Sequence, residues 1–242
     1  MRQPWVWVAC CCAVLTACGG STPTGPSTSP TLSRTRFLAF GDSMTAGEVT
    51  APVGGVGLAS PNFKMVVIPT ASYPSQLLSL AQARYATQAA VVSVINAGRP
   101  GETVQEGAAR FPDVFFASQA DVVLLLEGVN GLSYVGPDLS TEFMRTMVQA
   151  ARTRGARVFV GSMVPTITGR QRSQVPSELE AYNAKLQLMA RAEEAAYVDL
   201  YNALLAEANT VIGVDGLHPT EAGYRRIADV FFAAIQANLE NK

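Results

Sequence analysis

Five short apolar runs, at residues 37–40, 91–95, 121–126, 157–161 and 197–200, alternate along the chain with stretches whose apolar residues recur every three or four positions. Runs of that length suit buried strands, and the intervening stripes suit helices packed by one face. The helical stretches are 73–85, 103–116 with Pro112 as a place for a kink, 141–154, 177–195 and a last helix striped by Tyr224, Ile227, Ala228, Phe231, Ile235 and Leu239. Strand and helix alternating throughout predict a five-stranded parallel sheet with helices on both faces, because a parallel neighbour is reached only by crossing over the sheet. The most apolar run, 121–126 (DVVLLL), belongs at the sheet centre. With 242 residues, 48% hydrophobic and 15% charged, the chain can bury one sizeable core, and a single domain over 35–242 is expected.

The front of the chain is different. Arg2 precedes the apolar run WVWVACCCAVL, too short to span a bilayer comfortably, so 1–17 reads as a signal peptide. Leu15-Thr16-Ala17-Cys18-Gly19 resembles the lipobox of bacterial lipoproteins, which implies that Cys18 becomes an acylated first residue and the protein an exported, lipid-anchored component of the cell envelope. Cys10, Cys11 and Cys12 lie inside the leader, leaving no disulfide, thiol nucleophile or cysteine metal site. Residues 18–34, rich in Ser, Thr, Pro and Gly, read as a disordered tether. The net charge of −1 and the lack of a basic stripe argue against nucleic acid as a partner.

Within the domain, RFLAFGDSMTAG (36–47) runs from a strand through Gly41-Asp42-Ser43 into a helix start. A serine there sits at the carboxyl end of a strand, where open α/β sheets bind ligands, with helix N–H groups aimed at whatever reacts. Alone, the tripeptide fits an ordinary capped turn better than it fits catalysis. Residues 48–72 show no sustained periodicity and read as a long loop, a lid or substrate-binding element beside Ser43. Gly55 to Ser60 touch a dinucleotide-binding pattern but lack the preceding strand, so no cofactor is expected. Gly98 and Gly101, in NAGRPGET, permit close approach of backbone to ligand or a plain turn, and Asn130-Gly131 is also a common turn pair.

His218 is the single histidine, in the loop VDGLHPT before the last helix, where Thr220 can cap. Asp215, three residues earlier, can accept from its Nδ1–H, fix the tautomer and leave Nε2 to take a serine proton. One histidine and no free cysteine speak against a metal centre.

Taken together, Gly41-Asp42-Ser43, Gly101 in NAGRPGET, Asn130 in EGVNG, and Asp215 with His218 in DGLHP resemble, in order and separation, the motif blocks of the SGNH (GDSL) hydrolase family. The resemblance runs from about Arg36 to Leu239 and implies a flavodoxin-like three-layer α/β/α sandwich and ester hydrolysis through an acyl-enzyme. It further implies Ser43 as nucleophile, His218 as general base, Asp215 as its orienter, and the Ser43 N–H, Gly101 N–H and Asn130 amide as oxyanion hole. Met44 replaces the family's usual Leu, and Gly131 stands where Asp generally follows the asparagine. The expected substrate is a small-molecule or glycan ester. A carbohydrate O-deacetylase is the alternative chemistry, and a non-catalytic lipid-anchored glycan- or lipid-binding protein would be marked by loss of Ser43, Asn130 or His218, all of which are present.

Overall fold

The structure, a computed structural model, describes Met1, residues 29–53 and residues 63–241. The expected signal peptide, Cys18, most of the expected tether and the 55–60 glycine stretch lie outside the described residues. In chain order the elements are β1 (Thr31–Leu32), β2 (Arg36–Gly41), α1 (Ser43–Ala46), β3 (Glu48–Pro52), β4 (Phe63–Val67), α2 (Tyr73–Arg84), β5 (Ser93–Gly98), α3 (Val104–Ser118), β6 (Val122–Leu126), α4 (Leu132–Thr153), β7 (Arg157–Gly161), α5 (Pro176–Ala192), β8 (Ala196–Val198), α6 (Leu200–Leu205), α7 (Ala208–Val211), α8 (Glu221–Leu239) and β9 (Glu240–Asn241).

The central sheet is parallel, in the order β5-β2-β6-β7-β8, with helices on both sides. β6 is its middle strand and every residue of it is fully buried, as its run of five aliphatic residues requires. Counting only these strands in chain order, the arrangement is 2-1-3-4-5, which reverses direction at β2. A crevice opens outside the carboxyl ends of the strands at such a reversal, here at the end of β2 between the loops that leave β5 and β6. α2 and α8 pack together on one side; α3, α4 and α5 form the other.

Five features differ from the sequence reading. β5 runs from Ser93 to Gly98 rather than over 91–95, because it lies at the sheet edge: Val91 is exposed, and the strand keeps register with β2 until Gly41 stands opposite Gly98. β8 is Ala196–Val198 rather than 197–200, since the Asp199 carboxylate caps α6 and turns Leu200 into helix. α4 begins at Leu132, not 141; Gly136 interrupts its helical backbone with φ 79°, and Gly136-Pro137 hides the first turn from a periodicity argument.

The expected loop 48–72 contains an antiparallel hairpin, β3 with β4, paired from Glu48↔Val67 to Pro52↔Phe63. Finally, the last part of the expected 18–34 tether is folded. β1 pairs with β9, Leu32 is buried, its N–H and C=O both bond the Gln88 amide, and Ser33 N–H donates to the Leu239 carbonyl. The apolar Leu32 closes the core at this end, an effect invisible in an averaged Ser/Thr/Pro composition.

Candidate active site

The turn that carries Ser43 is built by close approach. A methyl group on Gly41 would lie 1.9 Å from the Leu126 carbonyl oxygen, and one on Gly98 2.1 Å from the Ala46 nitrogen, so both strands flanking the turn carry glycine to let α1 sit directly on the sheet end. The space at Gly98 is thus filled by the chain itself rather than by a ligand. Asp42 is the N-cap of α1 and its carboxylate accepts from the Met44 N–H at 2.9 Å. This leaves Ser43 at the first helical position, only 2% exposed.

The Ser43 hydroxyl lies 2.9 Å from His218 Nε2 across 175 residues of sequence, and His218 Nδ1 lies 2.5 Å from Asp215 Oδ2. With the ring proton on Nδ1 and donated to Asp215, Nε2 is left to accept the serine O–H. The other Asp215 oxygen accepts from the Leu217 and His218 N–H groups, each at 3.1 Å. Burial pushes the Asp215 carboxyl up, but the hydrogen bonds and charge of His218 and those two amides outweigh it and hold the group below the ordinary carboxylate value. Asp215 therefore stays an acceptor.

The loop carrying this pair has little regular structure but is braced on two sides. From one, the Ile167 and Arg172 N–H groups donate to the Gly216 and Asp215 carbonyls, so the polar loop after β7 supports the His218 loop. From the other, β3 packs so closely that a methyl group on Gly213 would meet the Thr50 hydroxyl at 2.5 Å. Within the loop, Gly213 N–H donates to the His218 carbonyl.

Gly101 and Asn130 follow β5 and β6 and are joined by the residue between them. Asn130 Nδ2 donates to the Glu102 carbonyl at 3.0 Å, which uses one of its two N–H bonds and fixes the amide plane. Glu102, 3% exposed, is in turn held by a two-pronged bond from Arg110 at 2.7 and 2.5 Å, while the same guanidinium bonds the Ala97 carbonyl and lies 4.2 Å from the Phe40 ring centroid. Among the described residues, neither the Ser43 N–H nor the Gly101 N–H has an acceptor. Two backbone amides without acceptors and a side-chain amide with one N–H to spare thus lie on the loops at one end of the sheet.

Four contributors escaped the sequence reading. Glu102 and Arg110 are eight apart across a turn and a helix start, a spacing that signals nothing by itself. Glu127, in the segment EGVNG, is fully buried beside Asp42: burial, then the Asp42 and Glu102 charges, pushes its carboxyl well above the usual range. Asp42 itself is pushed up to about 6, mainly by burial and only partly offset by the Met44, Gly128 and Val129 amides and the His218 charge. The fourth is Glu48, the first residue of β3, whose Oε2 lies 3.5 Å from His218 Nε2. Beyond Asn130, a groove of about 260 Å³ is lined by Ser133, Tyr134, Gln171, Arg172, Ser173 and Gln174 among others.

A buried serine, a histidine that it can reach and a carboxylate behind that histidine stand together at the reversal point of a five-stranded parallel sheet, an arrangement able to activate a serine hydroxyl. The profile of the GDSL-like lipase/acylhydrolase family matches residues 39–226, and the chain belongs to that family. A curated relative, esterase TesA of Pseudomonas aeruginosa, is 29% identical over 154 residues, covering 63% of this chain and 74% of that one. The lipase/acylhydrolase of Enterococcus faecalis superposes with a TM-score of 0.69 at 23% identity, over 86% of this chain and 98% of that chain. Axe2, an acetylxylan esterase of Geobacillus stearothermophilus, does so with a TM-score of 0.63 at 21% identity, over 82% and 93% respectively. At these identities the two structures speak for the fold. Gly131, where the family generally has Asp, adopts φ 81° as the residue capping α4, a conformation that glycine takes without strain.

Proposed function

We propose that the protein hydrolyses carboxylic esters through an acyl-enzyme on Ser43. The observation that carries this is the continuous line Ser43 Oγ, His218 Nε2, His218 Nδ1, Asp215 Oδ2, with separations of 2.9 and 2.5 Å. Ser43 Oγ attacks the ester carbonyl as His218 takes its proton, and Asp215 holds the ring and stabilises the imidazolium. The carbonyl oxygen becomes an oxyanion, which the Ser43 N–H, the Gly101 N–H and the free N–H of Asn130 receive. His218 then returns the proton to the leaving alkoxide, the alcohol departs, and water repeats the sequence on the acyl-serine. The test is steady-state hydrolysis of p-nitrophenyl esters of increasing chain length: Ser43→Ala and His218→Ala are expected to abolish turnover with unchanged melting temperature. Retention of more than a few per cent of the rate in either purified variant would refute the assignment.

A second reading, removal of acetyl groups from a carbohydrate, is favoured by the polar lining of the groove beside Asn130 and by the fold-level kinship with an acetylxylan esterase. Comparing an acetylated polysaccharide with the p-nitrophenyl series separates the two. For location, the segment Leu15 to Gly19 supports a lipid-anchored envelope protein acylated on Cys18. Cys18→Ser is expected to release the protein from membranes or block its maturation, and a mutant still tightly membrane-bound on fractionation would remove the anchor.

A further inference from the structure

The Glu48 carboxylate is the charged group nearest the reacting nitrogen that the ester mechanism leaves without a task. Its Oε2 stands 3.5 Å from His218 Nε2, and the side chain is only 14% exposed. No side-chain or backbone donor among the described residues satisfies it, although a carboxylate offers about four acceptor sites. Its place is fixed by the core. The Tyr224 hydroxyl, fully buried, donates to the Glu48 carbonyl at 2.6 Å and reaches the Ser43 carbonyl at 3.4 Å, so one phenol ties nucleophile and carboxylate into the same frame. The hairpin partner β4 and the Ile68 N–H to Gly47 carbonyl bond hold the strand from behind.

Resting on the esterase reading above, we infer that Glu48 determines specificity on the alcohol side of the substrate, accepting a hydrogen bond from a hydroxyl that neighbours the ester oxygen. The argument is geometric. Nε2 must hand its proton to the leaving oxygen, so that oxygen comes within about 3 Å of Nε2. Glu48 Oε2 borders the same nitrogen, hence the alcohol leaves past a largely buried acceptor. An alcohol that carries a second hydroxyl satisfies that acceptor as it binds. A plain alkyl alcohol displaces its water and leaves it unpaired, which is the more costly outcome. An anionic alcohol is repelled. The substrate class is therefore an ester of a neutral polyol, with one free hydroxyl beside the acylated one.

The experiment uses two near-isosteric esters of the acid that the p-nitrophenyl series shows to be fastest, the propyl ester and the 2-hydroxyethyl ester, with wild type, Glu48→Gln and Glu48→Ala. Wild type is expected to favour the hydroxyethyl ester by about tenfold in kcat/KM, the size of a hydrogen bond to a charged group. The preference should shrink in Glu48→Gln, which keeps the shape and one neutral acceptor, and disappear in Glu48→Ala. Melting temperatures report folding, and if the Ala variant is unfolded the Gln variant carries the test. A wild-type ratio near one, or a ratio unchanged in the variants, overturns the inference. So does an equal fall for both esters, which would place Glu48's action on His218 alone. A wild type inactive on every ester, p-nitrophenyl esters included, overturns the esterase reading itself.

Discussion

Asn130→Ala separates two contributions of one amide, a hydrogen bond seen in the structure and a second that the proposed mechanism gives to the other hydrogen. The first, donated to the Glu102 carbonyl at 3.0 Å, is a neutral hydrogen bond in a half-buried place. Its loss is expected to cost about 1 kcal/mol, which for a domain of roughly 200 residues lowers the melting temperature by about 2–4 °C. The second hydrogen, aimed at the oxyanion in the proposed mechanism, acts only when charge develops on the carbonyl oxygen. Its loss is expected to lower kcat by about 10²- to 10³-fold, or about 3–4 kcal/mol, with KM little changed. Asn130→Asp should be no better, because a carboxylate repels both the oxyanion and the Glu102 carbonyl. The assay is kcat and KM on a p-nitrophenyl ester beside a thermal melt of the same preparation. A lowered melting temperature with kcat preserved would refute the reasoning and leave the cradle to the Ser43 and Gly101 amides.

Asp215→Asn should lower kcat by about 10⁴-fold by stabilising the wrong imidazole tautomer, and near-wild-type turnover would make Asp215 a loop residue only. Arg110→Met, which leaves the Glu102 carboxylate at 3% exposure with only the distant Arg99 at 3.8 Å, should destabilise the fold by about 3 kcal/mol in denaturant titration and lower kcat by loosening the Asn130 amide; an unchanged midpoint would contradict the pairing. Glu127, its carboxyl raised well above the ordinary value by burial, binds its proton more tightly folded than unfolded, so the stability it contributes is full below the unfolded pKa and is lost as pH rises through the folded one. Glu127→Gln, which mimics the protonated form, should therefore match wild type in acid and melt increasingly above it as pH rises, and a gap that closes or reverses with rising pH would refute this.

What the sequence exposed were features whose chemistry is local. The Gly41-Asp42-Ser43 turn announces itself because one strand, one cap and one helix start are contiguous, and Asp215 with His218 because a carboxylate and the single histidine are three residues apart on one loop. The Val122–Leu126 strand reads correctly as central because burial on both faces demands a continuous apolar run. The hairpin was hidden for the opposite reason. β3 and β4 lie outside the main sheet and, of their described residues, send only Val49 into the buried core, too little to show as a period-two pattern, and their pairing is set by partners rather than by pattern. Glu48, Glu102 and Arg110 were unreadable because each acts through a residue that is distant or on another element. An isolated acidic residue in a sequence carries no sign of what it will face.

Those hidden elements bear on how such a site can vary. Ser43 is fixed by the sheet itself, through glycines that no larger residue can replace without displacing Leu126 or Ala46. His218 is not: its loop is positioned by β3 on one side and by the 167–172 segment on the other. The same two elements carry Glu48 and the groove-lining Gln171 and Arg172, so on the proposed mechanism the walls of the site are also the supports of the general base. Changes that reshape selectivity in either wall will therefore move His218 Nε2 against Ser43 Oγ, a distance on which proton transfer depends steeply. On the proposed mechanism, selectivity and turnover are coupled through the backbone of the Asp215–His218 loop, and a substitution that moves that backbone is expected to change both together.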